Sequence, residues 1–118
     1  MVIHKNESLQ RYNTFGIACS ANEIIELNQA EEIPKIIDYL HQHKKPLLIL
    51  GGGSNVLFTT DFDGIILANN LKGISITEED QESVTLEVAA GEVWHDLVMY
   101  CVENNYAGME NLSLIPGK

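Results

Sequence analysis

Three consecutive glycines, Gly51-Gly52-Gly53, follow the apolar run Leu47-Leu48-Ile49-Leu50 and give way to Ser54-Asn55-Val56-Leu57-Phe58. Glycine loses more backbone freedom on folding than any other residue, so three in a row mark a turn with φ > 0 or a backbone that another group approaches closely. Successive amides in such a turn can converge on an anion. Those of Gly52 to Asn55 are expected to do so, with Ser54 and Asn55 adding short polar side chains. The competing reading is a tight structural connection between two core strands. Neither familiar phosphate loop fits. A Walker A loop needs Lys and then Ser or Thr after its last glycine, and Ser54-Asn55-Val56 stand there instead. A G-x-G-x-x-G fingerprint is met at Gly51 and Gly53 and fails at Val56. An anion here would rely on backbone amides and hydroxyls, without a full helix dipole.

Other residues offer less chemistry. His4, His41, His43 and His95 have no metal-site spacing, since His41 and His43 are two apart and face different sides of a helix. Asp61 and Asp63 flank Phe62 just before Gly64 and read as turn residues. Trp94 could stack on a planar ring, but its place in an apolar helical stripe makes it a packing residue. Cys19 and Cys101 lack C-x-x-C spacing and read as reduced packing thiols. No metal site and no catalytic residue is expected.

The elements that must position the glycine loop follow from periodicity. Ala21 to Asn28 reads as a strand, and Ile33, Ile36, Ile37 and Leu40 form one apolar helical stripe with Pro34 in its first turn. Strand, helix and Leu47 to Leu50 make a βαβ unit, which places the loop at the carboxyl end of its second strand, where open α/β sheets bind ligands. Val56 to Phe58, a turn, and Ile65 to Ala68 read as strand, turn and strand. Residues 1 to 18 show no clear period and are expected as a lead-in across the core. Ile74 to Thr77 and Val84 to Val88 alternate strictly around an acidic turn and predict a hairpin. Trp94, Leu97, Val98 and Cys101 form a second helical stripe, closed by Asn104-Asn105. The change of character near Lys72-Gly73 divides a βαβ subdomain, 1–72, from a second one, 73–118.

Three motifs together carry a resemblance: Asn13-Thr14-Phe15-Gly16, Gly51-Gly52-Gly53-Ser54-Asn55-Val56-Leu57, and Glu110-Asn111-Leu112-Ser113-Leu114-Ile115-Pro116-Gly117. In this order the chain resembles the UDP-N-acetylenolpyruvoylglucosamine reductase family. The resemblance implies an α+β fold of the FAD-binding, vanillyl-alcohol-oxidase-like type, with FAD between a small βαβ subdomain and one built on an antiparallel sheet. It implies FAD contacts at Gly51, Gly52, Gly53, Ser54, Asn55, Val56, Ile115 and Pro116. It also implies hydride transfer from NADPH through the flavin to a UDP-sugar enolpyruvyl group, giving UDP-N-acetylmuramate for peptidoglycan. The family's acid and most of its substrate pocket would lie beyond Lys118, so the chain is expected to be the truncated opening part of an enzyme, inactive alone. The alternative is a non-catalytic nucleotide-binding or interaction module that keeps only the loop.

Composition bounds the remaining possibilities. With 118 residues, 45% of them hydrophobic, the chain can build one core but not two complete domains. Seventeen acidic against seven basic residues give a net charge of -10, which argues against nucleic acid and anionic membrane as partners. No apolar run approaches the roughly 20 residues of a membrane helix, and the start lacks a signal-like apolar stretch, so the cytoplasm is expected. The hairpin should leave an open edge and an apolar face through which the isolated chain self-associates.

Overall fold

The computed structural model describes residues 1–118. Its main sheet has four strands in the order β1-β2-β4-β3: β1 (Val2–Ser8), β2 (Ser20–Leu27), β3 (Leu47–Leu50) and β4 (Phe62–Asn69). β1 runs antiparallel to β2, whereas β2, β4 and β3 are mutually parallel. The helix α1 (Ile33–His43) connects β2 to β3, with Pro34 in its first turn and Lys44 in the left-handed region at its end.

The central strands read as near-continuous apolar runs because both faces of the sheet are covered. Ile25, Leu27, Ile65 and Leu67 pack beneath Ile36, Tyr39 and Leu40 of α1. Ile24, Ile66 and Ala68 point the other way, under Leu9, Tyr12, Ile17, Val56 and Phe58. Ile24, Ile25, Ile65 and Ile66 are fully buried, and each contributes roughly 1.5–3 kcal/mol of transfer free energy. The predicted α1 stripe is only half used. Ile36 is buried and Leu40 packs, but Ile33 and Ile37 stay exposed, and Tyr39 takes the place beside Ile36.

Two expectations are corrected. Residues 2–8 form a strand, not a featureless lead-in, although Leu9, Tyr12 and Ile17 beyond it do lie across the core. An edge strand with little burial on either face shows no period, which hid it. Phe15 is exposed. Second, Val56 to Phe58 is not a strand. β3 and β4 are parallel neighbours, so the chain must return to the far end of the sheet before β4 can begin. Residues 51–61 make that return without a helix, and Val56 and Phe58 fill the face a crossover helix would cover. The βαβ unit is present in split form, with β4 lying between the two parallel strands that α1 joins.

The predicted hairpin is present as β5 (Ile74–Glu79) and β6 (Val84–Val88), a separate two-stranded sheet. The Asp80 carboxylate accepts the Glu82 and Ser83 amides at 2.7 Å and closes its turn. The helix α2 (Trp94–Glu103) buries Leu97, Val98 and Cys101, and its Asn104 side chain donates to the Tyr100 carbonyl at the end. No helix is long and apolar enough to cross a membrane.

Candidate functional site

The glycine loop leaves the carboxyl end of β3, where Leu50, Ala68 and Glu26 stand in register across β3, β4 and β2. Its glycines are of two kinds. Gly53 has φ +69°, and a Cβ there would lie 1.9 Å from the Tyr12 carbonyl oxygen. Glycine is required at 53 by the chain's own packing. Gly51 and Gly52 have no left-handed φ, and a Cβ on either would meet nothing nearer than 3.7 Å, on Lys118. Nothing internal demands glycine at 51 and 52.

That internal packing belongs to residues 9–19. The Leu9 amide donates to the Cys19 carbonyl at 2.7 Å and closes the loop. Buried Asn13 crosses it, donating to the Leu9 carbonyl at 2.7 Å and accepting the Ile17 amide at 2.9 Å. The next residue, Thr14, donates its amide to the Gly53 carbonyl at 3.0 Å. Asn13-Thr14-Phe15-Gly16 was legible as a motif, but its support of the glycine loop was not.

No amide from Gly51 to Asp61 donates a hydrogen bond to another group of the protein. Gly51 and Gly52 are exposed and line a cleft of about 340 Å³ with Arg11, Tyr12, Glu26, Asn70 and Lys118. Within it the Tyr12 hydroxyl donates to Glu26 Oε1 at 3.0 Å and accepts from Arg11 Nη2 at 2.9 Å. Burial, and then the Glu26 carboxylate, push the Tyr12 phenol up, so it stays a neutral donor. Lys118 Nζ donates to Asn70 Oδ1 at 3.0 Å.

The structure brings the second predicted group to the first. Ser54 Oγ donates to the Pro116 carbonyl at 3.4 Å, across 62 residues of sequence. The C-terminal segment is held there by the first turn of α2. The Trp94 amide, one of the orphan donors of a helix start, finds the Gly117 carbonyl at 3.0 Å. The Trp94 indole donates to the Leu112 carbonyl at 2.8 Å, and His95 Nδ1 accepts the amide of Leu114, whose φ is +62°. Trp94 is half-buried and belongs to neither core cluster, so it clasps this segment and is not simply a core residue. Ile115 is exposed beside Pro116, and Asn55 is exposed with no partner. Val56 departs from the group, since its side chain packs on the sheet.

The remaining candidates are accounted for structurally. Asp61 accepts the Ser20 amide at 2.8 Å and fixes the start of β2. Both cysteines are unpaired and buried, and burial, then Asp61, push the Cys19 thiol up.

The backbone-amide chemistry agrees with what the chain is similar to. The FAD binding domain family matches residues 21–118. UDP-N-acetylenolpyruvoylglucosamine reductase of Flavobacterium johnsoniae is 46% identical over 117 residues, covering 99% of this chain and 34% of that protein. The reductase of the same name from Shewanella oneidensis is 48% identical over 110 residues, covering 93% and 32%. The crystal structure of UDP-N-acetylenolpyruvylglucosamine reductase from Thermus caldophilus superposes with a TM-score of 0.69 over 99% of this chain and 39% of that one, at 24% identity. This chain thus spans about a third of the length of the curated relatives it matches.

Proposed function

The chain belongs to the FAD binding domain family, and from that premise we propose that it is the FAD-binding region of a UDP-N-acetylenolpyruvoylglucosamine reductase. Its cofactor is FAD. The observation that carries the proposal is the row of unpaired amides beginning at Gly51, beside two glycines that leave a cleft wall open. A dinucleotide diphosphate fits such a wall. It needs several donors close together, and each hydrogen bond to a charged group is worth roughly 1.5–3 kcal/mol.

In this assignment the amides of Gly51, Gly52, Gly53, Ser54 and Asn55 hold the diphosphate, the Val56 backbone continues the turn, and Ile115-Pro116 runs alongside. The polar walls of the cleft, Tyr12, Glu26 and Asn70, suit the hydroxyl-bearing part of the dinucleotide. The net charge of -10 does not oppose this, because exposed carboxylates beyond about 8 Å are largely screened at physiological salt. Residues 1–72 serve as the loop-bearing unit and 73–118 as the unit that brings Pro116 to Ser54. When bound, the flavin supplies hydride transfer from NADPH to the enolpyruvyl group of a UDP-sugar, while the chain binds and orients it. The soluble NADPH and nucleotide-sugar substrates support a cytoplasmic location.

The full-length protein is expected to bind FAD saturably, seen as a shift in flavin absorbance, and to oxidise NADPH only with enolpyruvyl-UDP-N-acetylglucosamine present. FAD binding with NADPH oxidation indifferent to that substrate would contradict the reductase assignment, and absence of FAD binding would contradict the cofactor site. The isolated residues 1–118 should give no turnover, and exposed Ile76 on a two-stranded sheet whose outer edges are unpaired supports their self-association.

A further inference from the structure

The contact between Thr14 and Gly53 does more than pack two loops together. In a trans peptide the carbonyl of one residue and the amide of the next point in opposite directions. The Gly53 carbonyl is fixed toward residue 14 by the Thr14 amide at 3.0 Å. The Ser54 N–H must therefore point away from residues 12–14, toward the open side of the loop, where it has no protein partner. Rotating the 53–54 peptide would reverse both groups. It would turn the Ser54 N–H inward and present the Gly53 carbonyl oxygen to the diphosphate, a repulsive arrangement. Such rotation is accessible because residue 53 is glycine.

Resting on the FAD assignment, we infer that the Thr14 backbone amide is a positioning group that selects the binding-competent orientation of the 53–54 peptide and so sets the affinity for FAD. Asn13 supports it by closing residues 9–17 with its side-chain amide. Without the Thr14 N–H the loop divides between two peptide orientations, and the apparent dissociation constant rises by the inverse of the competent fraction.

Thr14→Pro tests this, because it removes that N–H and leaves the Gly53 carbonyl without its donor. Asn13, with φ -137° and ψ 142°, already has the extended conformation that a following proline requires. In the full-length protein, FAD titration followed by flavin fluorescence should show about a tenfold weaker Kd for Thr14→Pro, the size of one lost hydrogen bond of orientation. Thr14→Ala, which keeps the N–H, should bind as the wild type does. Equal FAD affinity in Thr14→Pro and wild type would overturn the inference. Should the proline variant unfold, hydrogen exchange on the wild type decides. The Thr14 amide should be protected before FAD is added and the Ser54 amide only afterwards, and a Ser54 amide unaffected by FAD would overturn it. A wild type that does not bind FAD would overturn the cofactor assignment, and this inference with it.

Discussion

The two faces of the four-stranded sheet are held by different kinds of contact. On the α1 face the work is done by side chains. Buried Glu23 accepts the Tyr39 hydroxyl at 2.6 Å and Lys45 Nζ at 2.9 Å, while Tyr39 stacks on His43 with centroids 3.9 Å apart. On the opposite face no α-helix lies; the segment 9–19 is closed on itself by the Leu9 to Cys19 backbone pair and joined to 51–58 by the pair of Thr14 with Gly53. Beyond its first turn a helix consumes its own amides, so the body of a helix lying on a sheet has none to offer a ligand. A face covered by loops keeps donors in reserve, and this is the face that carries the glycines and the cleft.

The contrast makes the largest effect a backbone one. Gly53→Ala forces an alanine into φ +69° and drives its Cβ to 1.9 Å from the Tyr12 carbonyl. Strain and overpacking together should cost about 3 kcal/mol or more, read as a lowered urea midpoint, with FAD retention lost. A change below about 1 kcal/mol would mean that the loop yields easily and that backbone contact does not hold this face.

A smaller effect is expected on the α1 face, and without consequence for the cofactor. Tyr39→Phe removes a hydrogen bond to a charged group and should cost roughly 1.5–3 kcal/mol while leaving FAD affinity unchanged. The pH dependence gives a second readout. The bond to Glu23, with burial, raises the Tyr39 phenol from its ordinary 10.0 to about 12. The folded state thus favours the neutral phenol. The stability it lends is complete below pH 10.0 and is lost as pH rises toward about 12. Burial pushes the Glu23 carboxyl up, but the bonds from Tyr39 and Lys45 outweigh it and hold that carboxyl below its usual range. Its share of stability is present above the ordinary carboxylate range and lost as pH falls through the lowered value. Tyr39→Phe should reduce the alkaline decline in a urea titration run across pH, leaving the share that the raised Tyr12 phenol and Cys19 thiol contribute. A decline of equal size in the variant would show that another group causes it.

The same contrast explains what was legible in the sequence. α1, α2, β2 and the hairpin announce themselves because a side chain's period follows from which face it buries. Ile24 and Ile25, or Ile65 and Ile66, face opposite covers, so their strands read as apolar runs without alternation but still as strands. The return of residues 51–61 misled because Phe58 is buried and Val56 half-buried as a strand's side chains would be, while their amides belong to no ladder. β1 was invisible because its pairing is a backbone property, and its side chains lie largely at the surface. Within the proposed site, Gly51 to Asn55 stood out by residue type, glycine being constrained in the backbone itself, whereas Ile115-Pro116 entered only through the family resemblance. Thr14, Trp94 and His95 were missed because they act through a main-chain amide, an indole N–H and a ring nitrogen reaching residues distant in sequence.

The smallest change of all bears most directly on the claim that the loop-covered face is kept open for a ligand. At Gly52 a Cβ would meet nothing nearer than 3.7 Å, so Gly52→Ala should leave the thermal midpoint of the full-length protein within about 2 °C of wild type. If the glycine is there to let a diphosphate approach the amides, the added methyl should still weaken FAD binding by about tenfold, the loss of one hydrogen bond to a charged group. Unchanged FAD affinity in a folded Gly52→Ala protein would contradict the account, because the loop would then be a connection between strands and nothing more.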